Sequence, residues 1–100
     1  MRVEVRIGVD DLFKAKGYWW CHLICDDFSP SGLQVLHNFA ARLEVSRRAF
    51  HDPSGHPRPH YDLLPEFREK ALLLGAEQLD RKQLVEFLQR GRRRMGDGIS

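Results

Sequence analysis

The run Trp19-Trp20-Cys21-His22-Leu23-Ile24-Cys25 limits the fold more than any other stretch. It is almost wholly apolar, with Lys16-Gly17 before it and Asp26-Asp27 after it. An apolar strand without polar alternation belongs inside a sheet rather than at its edge. In an extended chain Trp20, His22 and Ile24 share one face, and Trp19, Cys21, Leu23 and Cys25 share the other. The imidazole of His22 is then either a hydrogen-bonded core group or a functional one.

The rest of the chain supplies partners for this strand. Val3, Val5, Ile7 and Val9 alternate with Arg2, Glu4 and Arg6, which predicts a strand over 2–9 with one buried face. Residues 10–18 are too short for a crossover helix, so the two strands are either antiparallel, the favoured expectation, or joined by a long arch. Ser29 and Pro30 form a helix start, cap followed by first-turn proline. Leu33, Leu36, Phe39, Ala40 and Leu43 give that helix an apolar stripe, with His37 at its border. Val45 to Phe50 reads as a third strand, parallel to the second through a βαβ unit. Three prolines, one glycine and three histidines in residues 51–60 predict an irregular loop. A second helix starts near Pro65, with Leu64, Phe67, Ala71 and Leu74 inward, and closes at Gly75. Ala76 to Leu79 reads as a fourth strand. Asp80 and Gln83 are spaced as a capping box for a third helix, with Leu84, Val85, Phe87 and Leu88 inward. The expected fold is a small α/β domain over 1–95, order β-β-α-β-α-β-α with a mixed four-stranded sheet, and a disordered tail at 96–100.

Composition excludes several classes. No run approaches the ~18 apolar residues of a membrane span, and residues 1–6 lack the apolar core of a signal peptide. The cytoplasm is the expected compartment. Cys21 and Cys25, four apart on a strand, are separated by roughly 13 Å, too far for a disulfide. They read as buried reduced thiols. The net charge of +2 does not argue for nucleic acid by itself, although Arg90, Arg92, Arg93 and Arg94 crowd the C-terminal end.

Chemistry points to the histidines. Imidazole moves protons near neutral pH and ligates metals. His60 joins Tyr61 and Asp62 at what reads as a loop–helix junction, where backbone N–H groups favour anions. A zinc set would combine His22, His37 and His60, with Asp11 as a further ligand. No H-E-x-x-H motif exists, and no metal site is assigned. Phosphate-loop, dinucleotide and nucleophile-elbow signatures are absent, and no cofactor is identified.

Val9-Asp10-Asp11, Trp20-Cys21-His22-Leu23, Leu36-His37-Asn38-Phe39-Ala40-Ala41-Arg42-Leu43, Arg47 with Phe50, His60-Tyr61-Asp62-Leu63 and Ala71 with Gly75-Ala76 occur in that order. Together, over roughly residues 3–80, they resemble the short bacterial and phage proteins grouped as domain-of-unknown-function family 4031. The resemblance implies a common site at Asp10, Asp11, His22, His37, His60, Tyr61 and Asp62, and no reaction. The chain departs from the pattern at Ala49-Phe50-His51, where the family has Trp-Phe-Gln, at Glu44, where it has Gly, and at Leu64, where it often has Thr.

The expectation is a pocket in which His22, His37, His60 and Asp11 do acid/base work while Asp10, Trp20, Arg47, Tyr61 and Asp62 bind the ligand. Such a set suits a small anionic, phosphate-bearing molecule such as a nucleotide, and hydrolase or transferase chemistry. Two alternatives stand beside it: a nucleic-acid accessory protein using the C-terminal arginines, and a protein-interaction module pairing through an exposed strand.

Overall fold

The computed structural model describes residues 4–52 and 57–97. The long apolar run forms β3 (Tyr18–Cys25), at the centre of the sheet. Before it come β1 (Ile7–Val9) and β2 (Phe13–Ala15), both antiparallel to β3. The connector therefore holds a strand that sequence reading missed. Lys16 and Gly17, with φ of 52° and 81°, make the two-residue hairpin between β2 and β3. Positive φ at both central residues matches the twist of the flanking strands. Val9 stands opposite Leu23 while Phe13 stands opposite Trp20, so residues 10–12 face only Cys21 and His22. That extra residue is a bulge, which re-aims side chains locally.

Helix α1 (Pro30–Arg42) opens with Ser29 accepting from the Gly32 N–H at 3.2 Å. The expected strand at 45–50 is mostly a 3-10 turn, Arg47–Ala49, followed by the two-residue strand β4 (Phe50–His51). β4 does not pair with β3. Between them lies β5 (His60–Leu63), antiparallel to both. The irregular stretch thus ends at Pro59 rather than at His60, and His60-Tyr61-Asp62 belongs to a strand instead of a helix start. The irregular loop expected at Pro53, Ser54, Gly55 and His56 lies outside the described residues.

Helix α2 (Pro65–Leu73) leads to β6 (Glu77–Gln78), parallel to β1, and then α3 (Arg81–Asp97). The mixed sheet has six strands, not four, in the order β4-β5-β3-β1-β6, with β2 on β3. Asp80 and Gln83 bond reciprocally at 2.8 and 2.9 Å, the capping box read from their spacing. Helix α3 continues through residues 96 and 97, where a tail was expected; 98–100 lie outside the described residues. Among the described residues no helix is long and apolar enough to cross a membrane.

The sheet is covered unequally. Cys21, Leu23 and Cys25 pack with Leu36, Phe39, Ala40 and Leu43 of α1 and its cap and with Ala71 of α2. On the reverse face Ile24 packs with Leu79, Phe87 and Leu84 under α3. Leu74 and Val85, expected inside, are exposed because the helices meet the sheet along narrower stripes. Helix α3 is fastened by Asp26, which is fully buried. Its Oδ1 accepts from the Arg6 N–H at 2.8 Å and Arg94 Nη1 at 3.2 Å, while Arg90 Nε lies 3.2 Å from Oδ2. Farther along, Gly91 meets the Phe28 ring so closely that a Cβ would sit 2.5 Å from it.

Breaking a buried ion pair strands a charge, so Asp26→Ala should lower the unfolding free energy by about 3–5 kcal/mol. Chemical denaturation reads it, and a loss below about 1 kcal/mol would put the cluster in the class of surface pairs. Gly91→Ala should also destabilise, by about 1–3 kcal/mol, through overpacking against Phe28. Alanine's helix-propensity gain of about 1 kcal/mol works against that loss. An unchanged melting temperature would show that Phe28 moves aside freely.

Candidate functional site

Alternation along β5 decides which of its side chains meet β3. Tyr61 and Leu63 enter the core under α1 and α2, which leaves His60 and Asp62 on the reverse face. The register then sets Asp62 directly opposite His22 and His60 opposite His51. Phe13, His22, Ile24, Arg58, His60 and Asp62 line a cavity of about 330 Å³, which Leu84 and Leu88 of α3 wall on the far side. The His22 and His60 rings meet edge-on at 4.9 Å, and Phe13 stacks on His22 at 4.9 Å.

Each imidazole is held from behind. The bulge turns Asp10 toward His22: Oδ1 accepts from the His22 backbone N–H at 2.6 Å, and Oδ2 lies 2.7 Å from Nδ1. Arg68 Nε in turn donates to the Asp10 carbonyl at 2.9 Å. A carboxylate only accepts, so His22 carries its proton on Nδ1 and offers Nε2 to the cavity. His60 Nδ1 lies 2.7 Å from the Arg58 carbonyl, which makes it a donor as well. His60 Nε2 is then 3.4 Å from Asp62 Oδ1, and His51 Nε2 is 3.2 Å from Asp62 Oδ2. The Asp10 bond raises the His22 pKa above its ordinary value, against the opposing effect of burial. Burial lowers that of His60, and the neighbouring His22 adds to the lowering.

The single pocket expected from the sequence is divided by the sheet. His22, His60 and Asp62 come together, with Asp10 behind His22. His37 and Tyr61 lie on the other side, where His37 Nδ1 is 2.7 Å from the Tyr61 hydroxyl and its ring meets Phe50 at 4.7 Å. Arg47 sits over the same Phe50 ring at 5.5 Å, so it belongs to that second cluster. Burial lowers the His37 pKa and raises that of Tyr61. Asp11 is exposed and opens on a separate hollow beside Asp80 and Arg81. Trp20 donates to the Ala15 carbonyl at 3.1 Å and does not line the cavity. Burial pushes both cysteine thiols up to about 12, so neither is an activated nucleophile.

Sequence reading missed Phe13, Arg58 and the walls from α3. The Lys16-Gly17 turn signal between Ala15 and Tyr18 pointed to the hairpin that places Phe13. Nothing local marks Arg58, which sits between Pro57 and Pro59 and reaches the cavity only because β5 pairs with β3.

His22 binds its proton more tightly folded than unfolded. Its stabilising contribution is complete below about pH 6.5, the unfolded value, and is lost as pH rises through the raised folded value. Asp10→Asn removes the main cause of that shift. The stability gap between the native chain and Asp10→Asn should therefore widen as pH falls from 8 toward 6. Imidazole NMR titration should place His22 above His60 in the native chain, and the reverse order would refute the assignment.

A family model described as "Protein of unknown function (DUF4031)" matches residues 7–91. No curated protein and no solved structure matches the chain.

Proposed function

The chain belongs to this DUF4031 family, whose description carries no activity, and from the geometry of its own cavity we propose that it binds a small anionic, phosphate-bearing ligand. The observation that carries the reading is the convergence of Arg58 with His22 and His60 in one cavity of about 330 Å³. Guanidinium supplies a permanent cation with paired donors, and imidazole Nε2 atoms supply donors or acceptors according to their protonation. Phe13, Leu84 and Leu88 offer an apolar wall for the remainder of such a ligand, a nucleotide base included. Pro57 and Pro59 stiffen the chain on either side of Arg58, and Arg92 Nε holds the Pro57 carbonyl at 3.0 Å. The reactive groups in the cavity are the histidine nitrogens and the Asp62 carboxylate, so the chemistry it suits is hydrolysis or group transfer with imidazole as the proton carrier.

The nucleic-acid reading stands second. Arg90 and Arg94 hold Asp26, and Arg92 bonds the Pro57 carbonyl, so these side chains serve the fold. The interaction-module reading stands third, because the edge strands β4 and β6 are two residues long and offer little ladder to a partner.

Inorganic phosphate and a nucleoside monophosphate are the first probes. Charge-assisted hydrogen bonds of about 1.5–3 kcal/mol correspond to about tenfold or more in affinity. Titration calorimetry should show such a loss in Arg58→Ala and in His60→Ala, with circular dichroism unchanged. His37→Ala, on the other face, should bind as the native chain does. Equal affinity in all variants, or no binding of either probe, would sink the proposal.

A further inference from the structure

We propose that His22, His60 and Asp62 bind a divalent transition-metal ion, with Zn²⁺ as the first probe, on the β3–β5 floor of the cavity. Each offers a ligand atom, and these atoms lie within 4.8 Å of one another. Zn²⁺ holds imidazole nitrogen at roughly 2.0–2.1 Å, so its ligand atoms sit roughly 3.4 Å apart around a tetrahedron. The His60–Asp62 pair is already at that spacing, 3.4 Å. The remaining separations, none above 4.8 Å, have to close toward that value on binding.

Local hydrogen bonding supports the same conclusion. Metal-bound histidines almost always donate their other ring N–H to a carboxylate or carbonyl, which orients the ring and raises its basicity. Both forms are present: Asp10 Oδ2 at His22 Nδ1, 2.7 Å, and the Arg58 carbonyl at His60 Nδ1, 2.7 Å. With its proton on Nδ1, neutral His60 carries a lone pair on Nε2, 3.4 Å from Asp62 Oδ1, itself only an acceptor. A cation between these two acceptors, either a second proton or a metal, would turn the contact into an attraction. Asp62 Oδ2 lies 3.2 Å from His51 Nε2 on the other side. Two imidazoles and one carboxylate form a donor set that suits zinc and other first-row ions and leaves coordination positions open to the cavity.

Charge gives a further reason. Asp62 lines the cavity that is proposed to take an anion, and alone it would repel one. A divalent ion on two neutral imidazoles and one carboxylate reverses that local charge. Water on the ion would also take over the proton-carrying duty from the imidazoles. The inference shares its site with the anion reading and rests on it only for that choice of cavity.

The test is equilibrium dialysis of the chelator-treated full chain against Zn²⁺, with Co²⁺ absorption as the spectroscopic signature. Uptake of one ion per chain is expected. His60→Gln and Asp62→Asn, checked for native circular dichroism, should each lose at least about tenfold in affinity. Asp10→Asn should lose about 10–100-fold through its effect on His22. His37→Ala should be unaffected. Absence of uptake, or uptake that survives both His60→Gln and Asp62→Asn, overturns the inference; a doubly protonated His60 without uptake assigns the cation as a proton. Zn²⁺ uptake without phosphate binding supports the metal site and fails the anion reading alone. Phosphate binding by the chelator-treated protein without Zn²⁺ uptake does the reverse.

Discussion

One buried carboxylate holds the two sides of this domain in register. Asp26 sits where β3 ends and the chain turns toward α1, with no exposure to water. A charge in that position is tolerable only if donors surround it. They come from the Arg6 N–H just before β1 and from Arg94 of α3, while the Arg90 guanidinium adds an ion pair at 3.2 Å from Oδ2. The Arg90 and Arg6 guanidiniums also cover the Phe87 ring, at 5.6 and 5.2 Å, and Arg6 pairs with Glu77 of β6. Polar and apolar contacts thus fasten the same helix to the same sheet edge. Held there, α3 places Leu84 and Leu88 over the sheet and turns an open face into a walled cavity.

The strand period then sorts the chemistry. On β3, Cys21 and Leu23 go into the core and His22 stands on the reverse face; on β5, Tyr61 and Leu63 go inward while His60 and Asp62 stand beside His22. A barrier one sheet thick separates this group from His37, Tyr61 and Phe50. The latter cluster packs about a hydroxyl–imidazole bond at the margin of the core, and its nearest cation, Arg47, lies over an aromatic ring. The bulge at residues 10–12 completes the arrangement. It bends the chain so that Asp10 satisfies both the backbone and the ring of His22, which a regular ladder would not permit.

Much of this was legible locally. The central strand, the Ser29-Pro30 helix start, the Asp80–Gln83 cap and the amphipathic stripe of α1 depend on neighbours a few residues away, and they stand as read. Motif residues His22, His60 and Asp62 were also visible as chemistry-bearing groups. β5 went unread because three prolines upstream outweighed the alternation of His60-Tyr61-Asp62-Leu63, although that period of two was the strand's own signal. The hairpin of β2 is hidden by a polar connector, in which Lys16-Gly17 is compatible with a loop as well as with a tight turn.

The sequence by itself determined the three helices and the central place of β3, because propensity, capping and hydrophobic period act over a few residues. It also named the histidines and aspartates from which any site must be drawn. Which of them meet was decided only by the tertiary structure. Insertion of β5 between β4 and β3 puts His60 and Asp62 beside His22, and the same pairing sends Tyr61 to His37 across the sheet. A one-residue change of register would exchange those two faces, and register is set by long-range packing rather than by any local run of residues.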